Sequence, residues 1–281
     1  MGSLRLTSRR WLLAFVVLAV AGVALLVVAT RGASDAAQHG PGNTSPGVAG
    51  AAPASAWLRV TPAPGSQLTL AGGAAALLDT DAGAIATHTR SSGSERFEVR
   101  VEAGTPTTTL ALSRDARWFI ELGAGADRLR LDLERLDVHT LRVDGVRGGL
   151  DAVLPALART ELTLGEGRAT VLFQRGSTLD GHLRLGRGAT LLRVEPESVG
   201  SLHLDAGAGP TTIVVDATLV VALTLDAQAP PPLALEGTWW RQRDGATVTW
   251  LRAPTPAPLE TAEVRITLAS HAGAPLAVTY R

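Results

Sequence analysis

Four polar residues recur at one spacing through the middle of the chain: Thr140, Glu161, His182 and His203, each 21 positions after the last. Imidazole and carboxylate are zinc ligands, so two histidines and a glutamate on one face are the first place to look for chemistry. On neighbouring β-strands they would stand in a ladder about 5 Å apart. A metal would need a fourth ligand and hydrogen-bonded support around it, and neither appears at that spacing. The row therefore reads as an exposed polar stripe, and no metal site is expected. The acids align no better. Asp132 falls in a row with Val153, Gln174 and Glu195, and Asp151 falls with Leu172, so no row sets two carboxylates side by side as glycoside hydrolysis requires. No serine sits in a Gly-x-Ser-x-Gly elbow, and no glycine loop opens a helix to cradle phosphate. The absence of cysteine excludes disulfides, thiolate metal sites, a cysteine nucleophile and a lipid-modified N-terminal cysteine. No catalytic residue, no cofactor and no enzymatic activity are expected.

One unusual cluster remains, Trp239, Trp240 and Arg241. Strand alternation turns one indole inward and the other out, and an exposed tryptophan beside Arg241 and Arg243 suits contact with a glycan, lipid headgroups or an envelope protein. The competing reading is core packing at the end of the fold.

The 21-residue spacing is itself the main structural signal. Ile120, Leu141, Leu162, Leu183 and Leu204 form one row, and Leu122, Val143, Leu164, Leu185 and Ala206 another. Two more rows are Leu129, Leu150, Val171, Leu192, Ile213 and Leu131, Ala152, Phe173, Val194, Val215. All are apolar in a chain that is 46% hydrophobic. Glycine keeps the same time in Gly123, Gly165, Gly186, Gly207 and in Gly125, Gly167, Gly188, Gly209, which predicts a tight Gly-x-Gly corner with positive φ in each unit. The unit with Asp144 and Val146 in those rows should have a corner of different shape. Alternation such as Leu129, Leu131, Leu133 against Arg130, Asp132, Glu134 marks half-buried strands. Two strands and two corners fill each unit, and stacking the units buries a continuous aliphatic ribbon that no single unit could bury. An antiparallel meander of hairpins is the rival arrangement. The fold class expected is all-β, a β-solenoid with coils of about 21 residues, starting by about Phe97 and capped at its C-terminal end against exposed edges.

Outside the repeat the chain divides readily. Residues 11–30 form an uncharged apolar run that, at about 1.5 Å per residue, matches a hydrocarbon core of roughly 30 Å. Arg5, Arg9 and Arg10 precede it, so the positive-inside rule places a cytoplasmic tail at 1–10, a transmembrane signal anchor at 11–30 and the rest outside the cell membrane. A cleaved signal peptide is the competing reading. Residues 31–56, rich in Gly, Ala, Pro and Ser, form a flexible linker. The solenoid is expected over 57–228 and a C-terminal β cap continuing it over 229–281. Basic and acidic residues total 26 each, which gives no net charge and no reason to expect a nucleic-acid partner.

The segment Arg117 to Pro155 resembles the toastrack domains of bacterial envelope proteins, including LiaF-like envelope stress proteins. Trp118, the Gly123-Ala124-Gly125 turn, the Leu-x-Leu-x-Leu strand, Val143-Asp144-Gly145 and Leu154-Pro155 carry the likeness. It implies a right-handed β-solenoid near a bacterial membrane, a role linked to envelope stress signalling, and no catalytic residues. The functional expectation is a membrane-anchored, extracytoplasmic recognition, scaffold or signalling-modulator module, with the lipid bilayer and an envelope protein or glycan as partners. A self-assembling bactofilin-like scaffold or adhesin is one alternative and a carbohydrate-active enzyme another.

Overall fold

A computed structural model describes residues 54–91, 93–226, 230–253 and 258–281. The predicted membrane span at 11–30 and most of the linker lie outside these residues, and among the described residues no helix is long and apolar enough to cross a membrane. The described chain is all-β apart from one 3₁₀ turn at Leu259–Thr261.

The strands build two facing sheets. The larger has, in spatial order, Trp240–Asp244, Thr247–Arg252, Val221–Asp226, Val264–His271, Val199–Ala206, Thr178–Arg184, Leu157–Leu164, Asp137–Val146, Ala116–Leu122, Ala54–Thr61, Ser94–Val101 and Ala84–Ser91. The second runs Leu233–Leu235, Leu276–Tyr280, Thr211–Val215, Thr190–Val194, Arg168–Phe173, Gly149–Leu154, Arg128–Asp132, Gln67–Gly72, Thr107–Leu112 and Leu78–Thr80. From Ser94–Val101 to Leu233–Leu235 consecutive strands alternate between the sheets, and pairing is parallel except at the ends of the stack. Parallel stacking of repeated strand pairs is the solenoid arrangement and rules out the antiparallel meander.

The core lies between the sheets. On the larger sheet Val99, Val60, Leu122, Val143, Leu162, Leu183, Leu204 and Leu268 are neighbours in register. Facing them, Leu70, Leu131, Ala152, Val171, Leu192, Ile213 and Val278 do the same. All of these side chains are buried. Each fully buried Leu, Val or Ile contributes about 1.5–3 kcal/mol by leaving water, which makes the aliphatic ribbon the main source of stability.

Three expectations need correction. First, the rows slip by two at one coil: Leu162 pairs with Val143 rather than Leu141, and Ala169 with Leu150. Asp137–Val146 is longer than its neighbours, with register shifts against both of them and Gly145 at φ 64, and the coil that starts there closes in 19 residues rather than 21. Second, most corner glycines do not need positive φ. Gly125 has it, but Gly165, Gly167, Gly186, Gly188, Gly207 and Gly209 do not. They are required because backbone lies on backbone, so that a Cβ on Gly165 would stand 2.6 Å from the Val146 carbonyl oxygen.

Third, chain order and spatial order part company at both ends. The coil of Ala54–Thr61 and Gln67–Gly72 lies between the coils at 94–112 and 116–132, so Val99 and Leu122 are separated by Val60. Val264–His271 and Leu276–Tyr280 lie between the coils at 199–215 and 221–235. The last two strands are therefore interior to the stack. The end itself is closed by the antiparallel hairpin of Trp240–Asp244 and Thr247–Arg252, turning through Gly245 at φ 56.

Candidate functional site

Strand alternation leaves one face of the larger sheet open to solvent, and the register fixes which side chains share it. The expected row Thr140, Glu161, His182, His203 is three parts right. Glu161, His182 and His203 are in-register neighbours. The two-residue slip puts Arg142, not Thr140, beside Glu161, and Thr267 follows His203. Thr140 stands instead between Phe119 and Arg159.

This stripe borders a hollow of about 550 Å³ that also takes in Arg159, Asp180 and Asp205. His182 Nε2 lies 2.8 Å from the Asp205 carboxylate, with Arg184 Nε 3.7 Å from the same group. Arg159 approaches Glu161 at 4.0 Å. Acid and base interleave, so the stripe is a surface lattice of ion pairs, each of small energetic weight because water screens it. Among the described residues no group of three or more His, Cys, Asp or Glu is arranged to hold a metal ion.

Trp239, Trp240 and Arg241 go three ways. Trp239 packs against the core, donates from Nε1 to the Glu236 carbonyl at 2.9 Å, and lies 5.8 Å from the Tyr280 ring. Burial pushes the Tyr280 hydroxyl well above its ordinary pKa, opposed by the nearby Arg252, whose guanidinium carbon sits 3.6 Å from the ring centroid. Trp240 is exposed on the edge strand. The Arg241 guanidinium carbon is 5.3 Å from the Trp250 ring, a cation–π contact on the hairpin itself.

The sheet holds a second feature that spacing alone did not reveal. Trp57 stacks on Phe119, with ring centroids 4.2 Å apart and planes within 9°. His139 meets Phe119 in a T-shaped contact, with ring centroids 5.0 Å apart. Register explains the stack: Arg96, Trp57, Phe119 and Thr140 are successive neighbours across four strands, and all face outward. The parallel row beside it reads Glu98, Arg59, Glu121, Arg142. Between the two rows runs a furrow of about 350 Å³. Leu58 and Ile120 lie along its floor with their side chains turned into the core. Trp57 is 50% exposed, although one face of its indole is covered by Phe119. The sequence places Trp57 outward by alternation with Leu58 and Val60, but only the inserted first coil brings it to Phe119.

No family model matches the chain, and no curated protein matches it. Among solved structures, that of a "putative cell adhesion protein from Clostridium sporogenes ATCC 15579" is similar at a TM-score of 0.37 and 8% identity, covering 82% of this chain and 94% of that one.

Proposed function

We propose that the chain is a non-enzymatic recognition or scaffold module of a bacterial cell envelope. It is anchored in the bilayer through residues 11–30, with the solenoid on the extracytoplasmic side and the right-handed, toastrack-like coil of LiaF-like proteins. The observation that carries this reading is the open face of the larger sheet, where exposed aromatic and charged side chains stand in fixed register on a rigid support. Preorganised side chains on strands suit binding, since little freedom is lost when a ligand arrives.

The lack of native cysteine makes the test direct. Thr89→Cys should be labelled by a membrane-impermeant maleimide in intact cells, and Ser3→Cys only after lysis. A photo-crosslinker carried on Thr140→Cys should give a discrete adduct in envelope preparations, while one on Arg193→Cys, on the second sheet, should not. Labelling in the reverse sense, or adducts without preference between the faces, overturns the proposal.

A scaffold that assembles from copies of the chain is the second reading. It is favoured by the two edge strands of the larger sheet, Ala84–Ser91 and Trp240–Asp244, which are exposed along nearly their whole lengths and carry Ile85 and Trp240 outward. Sedimentation of the purified chain decides it, because discrete monomers exclude filaments.

A further inference from the structure

We infer that the furrow between the Trp57–Phe119 stack and the Arg59–Glu121–Arg142 row is a binding site for an uncharged glycan. The inference rests on the recognition reading above and names its ligand.

The two walls differ in chemistry. One is aromatic and stiff, because Phe119 covers one face of Trp57 and His139 packs against Phe119 in an edge contact. The other alternates acid and base at the strand spacing of about 4.8 Å. Its charges cancel within the surface. Arg59 lies 3.9 Å from Glu121, Arg96 3.5 Å from Glu98, and Arg142 3.1 Å from Asp144. A polyanion would have to displace these acids and a polycation these arginines, so neither is favoured. A neutral pyranose meets both walls at once. Its C–H face packs on the indole, and its hydroxyls, which both donate and accept, match guanidinium donors and carboxylate acceptors set alternately along the furrow. The furrow crosses the strands, so a linear polymer can run along it and meet successive pairs.

A tryptophan half in water at the centre of such a cleft is costly to leave without a partner and effective when one arrives, as aromatic anchors are in other interfaces. The same feature separates this site from the hollow at His182, which lacks any aromatic wall.

The test is affinity electrophoresis of the full chain in nonionic detergent, through gels containing an uncharged α-glucan, β-glucan or mannan, with heparin and chitosan as charged controls. Retardation by at least one uncharged polysaccharide is expected, unchanged by about 0.5 M salt. Trp57→Ala should weaken it about tenfold or more, Arg59→Ala in smaller measure, and Trp240→Ala should leave it intact. Circular dichroism checks that each variant is folded. Retardation that survives Trp57→Ala but not Trp240→Ala overturns the site while keeping the recognition reading. Retardation only by the charged polymers, or by none, overturns the glycan, and the recognition reading then stands or falls by its own cross-linking result.

Discussion

Trp118 shows most clearly what one residue contributes to this fold. It is fully buried, packs near Phe97 with centroids 6.1 Å apart, and donates from Nε1 to the Ser113 carbonyl at 2.8 Å. The indole therefore fills the core and also satisfies the polar backbone of the loop that carries the chain from Thr107–Leu112 to Ala116–Leu122. Trp118→Ala removes both and is expected to cost about 3–5 kcal/mol, read as a fall in the urea midpoint. Trp118→Phe keeps most of the apolar volume but leaves the Ser113 carbonyl without its donor, for a smaller loss of about 1–3 kcal/mol. Equal losses for the two variants would mean that the hydrogen bond carries the effect rather than the packing.

At the scale of the element, the corners decide how closely coils can stack. A Cβ on Gly186 would land on the carbonyl of Gly165, and one on Gly207 on that of Gly186, so the glycines form a column with no room between members. Gly149 differs, because a Cβ there would meet only the Arg168 carbonyl at 3.5 Å, an ordinary contact. Gly186→Ala should therefore destabilise by about 1–3 kcal/mol or more, whereas Gly149→Ala should stay within about 0.5 kcal/mol of the parent in the same denaturation experiment. The sequence marks these glycines by their period but not by their cause, since positive φ and close approach select the same residue. The apolar rows have a similar limit. A slip of two residues at Asp137–Val146 keeps every side chain on its own face, so the in-and-out pattern is the same before and after it. That is why the alternation of Leu141, Leu162 and Val143 is legible in the sequence while the pairing of Glu161 with Arg142 is not. The Trp57 furrow is hidden for a different reason, because its two rings come from coils that spacing treats as unrelated.

For the whole molecule, the consequential feature is that both terminal coils are sewn into the interior of the stack. Nothing local signals this, because a strand inserted between two others needs only the same alternation and length as those it joins, and Val264–His271 has both. Its consequence is that the first and last coils of the described chain must be placed before the stack is complete, and the many contacts between distant segments predict slow folding. In a solenoid laid down in chain order, removing the last two strands would merely expose the preceding coil. Here, ending the chain at Ala262 takes Val264, Ile266, Leu268, Leu276 and Val278 from the core. It also removes the two strands through which the coil at 221–235 is joined to the coil at 199–215. At about 1.5–3 kcal/mol for each buried side chain, the loss is on the order of 10 kcal/mol, comparable with the whole stability of about 5–15 kcal/mol of an ordinary domain. The truncated chain should therefore show no cooperative thermal transition by circular dichroism. Replacing the hairpin Trp240–Arg252 by a short Gly-Ser link should, by contrast, keep the transition at a lower temperature, because among its buried apolar side chains it contributes only Val248 and Leu251 and lies outside the inserted coil. A cooperative melt of the truncated chain near that of the full one would show that the inserted coil is dispensable and that the stack is held together by its central units alone.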